Sequence, residues 1–242
     1  MKTKAYVITL LLATFLISST TLAQATYQMV EVAFMRPKIG MEKAFENVVK
    51  EHNNTYHKDG PYKGHLDLIL TGKQAGWYAW IMGPCTFTDL DARPLSSAHE
   101  KHWEHKVTPT IAKYGSVEYW RHNEDLSYQS GTETPAIEEI WFIDLKRGDY
   151  YRFKTLITKI KEAFEKKGEG NMHIYNNQFN ENNGRDIAIV WGMNNWAELD
   201  KEDASIKEVY EDINGKNSWQ NAMDEWNEIT EAIVRQLWKV GI

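Results

Sequence analysis

Residues Glu31-Val32-Ala33-Phe34, with Gly40 and Phe45 downstream, recur as Glu139-Ile140-Trp141-Phe142, with Gly148 and Phe153 downstream, at a constant spacing of 108 residues. Self-similarity at a fixed period marks a duplicated structural unit. Side chains alternate across a strand, so Val32 and Phe34 share one face and match Ile140 and Phe142. Glu31 and Ala33 point the other way and match Glu139 and Trp141.

The segment after each strand repeats as well. Phe45, Val48, Val49, His52 and Tyr56 fall on one face of a helix. At the same shift they become Phe153, Leu156, Ile157, Ile160 and Phe164, so His52 stands where the second half has Ile160. His65 opens an expected strand from Gly64 to Thr71, and His173 opens its counterpart from Met172 to Phe179. One further residue of loop then makes Trp80-Ile81-Met82-Gly83 correspond to Ile189-Val190-Trp191-Gly192. Each half therefore reads strand, helix, strand, strand, helix, and the first adds a strand at Val117 to His122. That is the βαββαβ order of a ferredoxin-like unit. In the second half Trp219, Met223, Trp226, Thr230, Ile233 and Leu237 alternate spacings of four and three, which reads as one long helical seam. Only Val240 to Ile242 then remain, so the second unit is expected to lack its last strand or to borrow one.

The resulting division is a leader over 1–23, a first repeat over 24–128, a linker over 129–135 and a second repeat over 136–242. Lys2 and Lys4, an apolar stretch from Ala5 to Ile17 and the small residues around Ala23 form the pattern of a cleaved export signal. A periplasmic or secreted location follows as an expectation, with no stable membrane anchor after cleavage. In an oxidising compartment the single cysteine, Cys85, has no internal disulfide partner, and it reads as a buried, inert thiol. A net charge of −6 and the lack of a basic stripe argue against nucleic acid as a partner. The mean hydropathy of −0.56 excludes a polytopic membrane protein.

A tandem pair of βαββαβ units with a Trp-rich strand after the second loop resembles the dimeric α/β-barrel superfamily. That superfamily includes antibiotic-biosynthesis-type monooxygenases, stress-responsive barrel proteins, haem-degrading monooxygenases and chlorite-dismutase-like proteins. The resemblance implies an α+β fold in which two ferredoxin-like repeats form a pseudo-dimeric α/β barrel, with small-molecule sites between a sheet and its helices. It also implies a homo-oligomer as one state and haem as one cofactor, although no residue pattern requires a cofactor.

His52, an imidazole on an apolar helix face, is a candidate proton-transfer group or metal ligand in a pocket. Glu31 and Glu139 could share a proton or a cation if the repeat axis brings them together. His99, His102 and His105 suggest metal or haem ligation. A step of three residues rotates the helix by 300°, so neighbouring pairs can chelate while the three do not share one face tightly. Tyr56, Trp80, Trp103, Trp141, Trp191, His65 and His173 are candidates for lining a ligand site, the two histidines as exposed groups at strand starts. Nucleophile elbows, phosphate loops and paired-cysteine metal motifs are absent from the sequence. The leading expectation is an exported protein that holds a small apolar or aromatic ligand in an aromatic-lined cavity. The alternatives are a cofactor-independent or haem-assisted monooxygenase with His52 as proton shuttle, and a non-enzymatic interaction module.

Overall fold

A computed structural model describes residues 27–94, 96–131, 134–168, 170–179, 184–200 and 204–242. The leader over 1–23 lies outside them. The apolar alternation of the first repeat forms β1 (Met29–Pro37), and the amphipathic segment after it forms α1 (Glu42–Tyr56). The strands β2 (Gly64–Ile69) and β3 (Tyr78–Cys85) follow. Two short helices, α2 (Phe87–Asp91) and α3 (Ser97–His102), lead through a π-helical turn at Trp103–Val107 into the long β4 (Ile111–His122). The short β5 (Tyr128–Gln129) lies in the inter-repeat region. The second half runs β6 (Ile137–Leu145), α4 (Tyr150–Lys167), β7 (Asn171–Asn177), β8 (Ile187–Met193), α5 (Ala204–Asn214), α6 (Ser218–Ile229) and β9 (Thr230–Lys239).

The last element corrects the expectation of a missing final strand. The helical seam keeps Trp219, Met223 and Trp226 in α6 but stops at Ile229, and Thr230, Ile233 and Leu237 belong to β9. The adjacent β-branched pair Ile233-Val234 favours a strand. Beyond it, Gln236 and Trp238 are buried two residues apart, a strand period in place of a helical one.

Among the described residues the strands join one antiparallel sheet in the order β4-β1-β3-β2-β9-β6-β8-β7-β5, with a further pairing of β4 to β7. Within the first half the order is β4-β1-β3-β2, and within the second it is β9-β6-β8-β7. Two seams join the halves, Leu68 and Ile69 of β2 opposite Lys239 and Trp238 of β9 on one side. On the other, Trp120, Arg121 and His122 of β4 face Asn177, Asn176 and Tyr175 of β7. The sheet thus closes on itself, which removes the exposed edges that invite aggregation.

Three apolar clusters follow from this layering. Val32, Phe34, Trp120, Ile140, Phe142 and Trp238 fill the lumen. Phe45 and Val49 of α1 pack on the outer face of the first half beside Met29, Met35, Trp80 and Met82. Phe153, Ile157, Ile160 and Phe164 of α4 do so in the second half beside Met172 and Ile174. Cys85 is buried at the end of β3, and burial pushes its thiol up to about 11, away from reactive thiolate character. Among the described residues, no helix is long and apolar enough to cross a membrane.

Candidate metal centre

His52 lies on the buried face of α1 and has no solvent exposure. His57 is the residue at which the chain leaves that helix; with φ −132° and ψ 40° its backbone is no longer helical, and its ring swings back beside His52. His99 and His102 come from α3, whose first turn is capped by Ser96 accepting from the His99 N–H. The loop after β3 and the helix after β1 thus deliver four imidazoles to one place.

The Nε2 atom of His99 lies 3.1 Å from Nε2 of His57 and 3.1 Å from Nε2 of His52. Ligand atoms of the three residues all lie within 4.8 Å of one another. Two nitrogens bound to one zinc-sized ion at about 2.0–2.1 Å are about 3–3.4 Å apart, so the spacing suits a shared ion.

Proton positions follow from the partners of the opposite ring nitrogens. His57 Nδ1 is 2.9 Å from the Tyr62 carbonyl, which can only accept, so Nδ1 carries the proton and Nε2 is a bare lone pair. His102 Nε2 faces the Glu51 carboxylate at 3.5 Å, a charge contact without aligned hydrogen-bond geometry, which favours a proton on that nitrogen. His102 Nδ1 can then accept from His52 Nδ1 at 3.1 Å, leaving His52 Nε2 bare as well. Two lone pairs therefore converge on His99 Nε2, which has at most one proton to offer. A proton does not supply the missing positive charge, because burial, followed by repulsion from His57, His99 and His102, pushes His52 down to about 3. His57 is also held below its usual range, chiefly by burial, and the same holds for His99. A cation satisfies all three nitrogens without first displacing a proton from a charged imidazolium.

Aromatic rings enclose the cluster. Trp103 sits edge-on to His52 at 4.9 Å between ring centres, Trp80 edge-on to His57 at 5.0 Å, and Tyr56 lies 4.9 Å from His99. The buried Trp80 N–H donates to Asn53 Oδ1 at 2.9 Å, which ties β3 to α1 beneath the histidines. Gly64 makes this packing feasible: a Cβ there would come within 3.2 Å of both His57 Cβ and the Trp80 ring. The π-helical turn begins at Trp103 and changes the helical phase after His102.

The other expected site residues go elsewhere. His105 is exposed on the π-helical turn, outside the cluster, so the expected set His99, His102 and His105 is replaced by His52, His57 and His99 with His102 behind them. Glu31 and Glu139 do not meet. Glu31 pairs with Arg93 at 2.6 Å, and Glu139 accepts from Arg235 Nε at 2.7 Å, each on the helix side of its own half. Trp141 and Trp191 pack together at 5.8 Å in the core of the second half and do not reach His52. His65 is exposed, as expected at a strand start, while His173 is partly buried, and both border a lumenal cavity of about 170 Å³. His57 is the residue that pattern reading passed over. Its signal was the pair His52-x4-His57, which a helical wheel places on different faces and which comes together only because the helix ends.

No family model matches the chain, and no curated protein matches it in sequence. Solved structures do. A provisionally assigned monooxygenase from Lactobacillus acidophilus NCFM superposes with a TM-score of 0.57 at 9% identity, over 88% of this chain and 94% of that one. An anthrone oxidase-like protein gives 0.53 at 8% identity, over 90% and 93%. A cyanide-bound variant of the chlorite dismutase from Candidatus Nitrospira defluvii gives 0.54 at 8%, over 91% and 93%. The chain shares the ferredoxin-like α/β-barrel fold of these structures. One fold hosts many unrelated chemistries, so function here resides in the site's own residues.

Haem, which the superfamily resemblance allows, does not suit the histidine centre. An axial histidine needs an open face for a macrocycle, whereas the His52 ring is contacted by Tyr56, His57, His99, His102 and Trp103 within 5.2 Å. The lumenal cavity, about 170 Å³, is close in size to an engineered cavity of about 150 Å³ that holds benzene, far too small for a porphyrin.

Proposed function

We propose that the protein is a metal-dependent enzyme of oxygenase type, holding one divalent transition-metal ion on His52, His57 and His99 and acting on a small apolar or aromatic molecule. The observation that carries this reading is the convergence of three Nε2 atoms, those of His52 and His57 each 3.1 Å from that of His99 and all three within 4.8 Å of one another, two of them bare by the hydrogen-bond logic of their own rings. An all-imidazole set suits zinc, copper, iron or nickel and disfavours magnesium or calcium. Such an ion supplies Lewis-acid activation and, when iron or copper, a redox centre for dioxygen. The chain's own contribution is orientation and exclusion of water. The Tyr62 carbonyl fixes His57, Glu51 through His102 fixes His52, and Tyr56, Trp80 and Trp103 keep the centre dry. Arg93, whose charge opposes a cation nearby, is neutralised by Glu31.

The superposition on provisionally assigned monooxygenases supports the oxygenase part of the reading over a purely ligand-binding protein. The equivalent strand orders of the two halves support a tandem, pseudo-dimeric arrangement of 24–128 and 136–242, and the 1–23 leader supports export.

The test is reconstitution. Protein stripped with a chelator is titrated with Zn(II), Cu(II) and Fe(II), and dioxygen uptake is then followed with hydroquinone and anthrone-type substrates. Tight binding of one ion per chain with metal-dependent uptake is expected. Failure to bind any of these ions overturns the metal reading, and a Soret band gained on adding haemin would favour the haem-assisted alternative.

A further inference from the structure

The lumen of the barrel holds a second set of functional groups on the opposite face of the sheet from the histidine centre. Consecutive residues of β3 show the separation: Trp80 contacts His57, while Ile81 lines the lumen. The lumenal cavity has a volume of about 170 Å³ and aromatic walls from Phe34, Trp120, Phe142 and Trp238.

Most polar groups at its wall are already paired within the protein. Trp120 Nε1 and Arg185 both donate to Glu118, and Trp238 Nε1 donates to Gln236. The Arg185 guanidinium also lies 3.6 Å from the centre of the Phe142 ring. Glu138 is different. It sits among the lumenal side chains of β6 between Ile140 and the β2–β9 seam; the charges near its carboxyl are those of His65 and Asp67, but it makes no hydrogen bond to another described residue. The Tyr175 hydroxyl, also in the cavity wall, makes none either. Both residues are partly buried, and polar groups with reduced access to water are costly to leave unpaired, so two of them facing one small aromatic-walled space mark a place for a molecule that pairs with them. His65 at the cavity wall keeps 46% of its side chain exposed, which gives the cavity a connection to solvent.

We propose that the lumen is a binding site for a phenol-sized aromatic molecule bearing one hydrogen-bonding group, which Glu138 and Tyr175 engage while the ring lies among Phe34, Trp120, Phe142 and Trp238. The volume admits a single six-membered ring and little more. Burial and the nearby Asp67 carboxylate push Glu138 up to about 7, so at neutral pH it can serve such a group as donor or acceptor.

Calorimetric titration of the full chain with phenol and with toluene tests this, as the two differ by the hydroxyl. The expected result is saturable binding at one molecule per chain, with phenol tighter than toluene. In Glu138→Leu the phenol affinity falls about 10-fold while toluene is unchanged, the loss of one buried hydrogen bond. Ala188→Leu, which fills the cavity, removes both, with Val32→Ile as a gentler filling variant should the larger change unfold the barrel. His52→Ala, on the other face, leaves both affinities intact. The proposal is overturned if wild type binds neither compound, if toluene binds as tightly as phenol, or if the filling variants bind phenol as wild type does.

Discussion

The inward faces of α1 and α4 begin alike and end differently. Phe45 and Val49 match Phe153 and Ile157, and all four are buried against the sheet of their own half. One turn later the first half places His52 where the second places Ile160, and His57 where the second has Glu165 in the last turns of its longer helix. The second half fills the space between helices and sheet with Leu156, Ala163 and Phe164, extended by Trp191 and Trp226. The first half ends its helix early and closes the space with imidazoles. The same fold therefore carries two outer layers, one apolar and self-sufficient, the other with converging imidazole nitrogens that could hold a metal ion.

Several substitutions break or sharpen this contrast. The largest effect is expected from removing a ligand: His52→Ala, His57→Ala or His99→Ala should each weaken metal binding by at least about 100-fold, measured by competition with a chromophoric chelator. The transplant His52→Ile gives the first half its counterpart's residue. It should fold, lose metal binding, and no longer respond to added metal, whereas wild type at 100 times the dissociation constant gains about 2.7 kcal/mol in urea unfolding. His102→Ala removes only the group that orients His52, and a loss of about 10-fold is expected. His105→Ala should leave affinity unchanged, since its side chain is exposed outside the cluster.

Acid should act on the metal-free protein through the same buried imidazoles. His52 is pushed down to about 3 and His173 to about 4, each mainly by burial, while an unfolded histidine titrates near 6.5. Below pH 6.5 the unfolded chain takes up protons that the folded one refuses. Stability present above that pH is therefore lost as the pH falls toward 4. Urea midpoints at pH 7.5, 5.5 and 4.5 should decline in that order, and His52→Ile should flatten the decline.

The repeat made the strands and long helices legible, because alternation and helical periodicity act over short spans and both halves repeat them. Two features escaped that logic. The residues of β9 continue the four-and-three spacing of α6, so period alone cannot place the break, and Ile233-Val234 were its local mark. The histidine centre depends on where helices stop. His57 joins His52 only because α1 ends there, and His105 leaves the cluster within a π-helical turn that a uniform wheel does not contain. Glu31 and Glu139 occupy equivalent positions, yet their arginines come from unrelated places, Arg93 in a loop and Arg235 on β9, so their pairing is a tertiary fact.

The most direct test of the account is X-ray absorption on wild type and His52→Ile after each is loaded with one equivalent of Zn(II). A shell containing three imidazole nitrogens at about 2.0–2.1 Å is expected in wild type and no bound metal in the variant. An unloaded wild type, or the same nitrogen shell in both proteins, would contradict it.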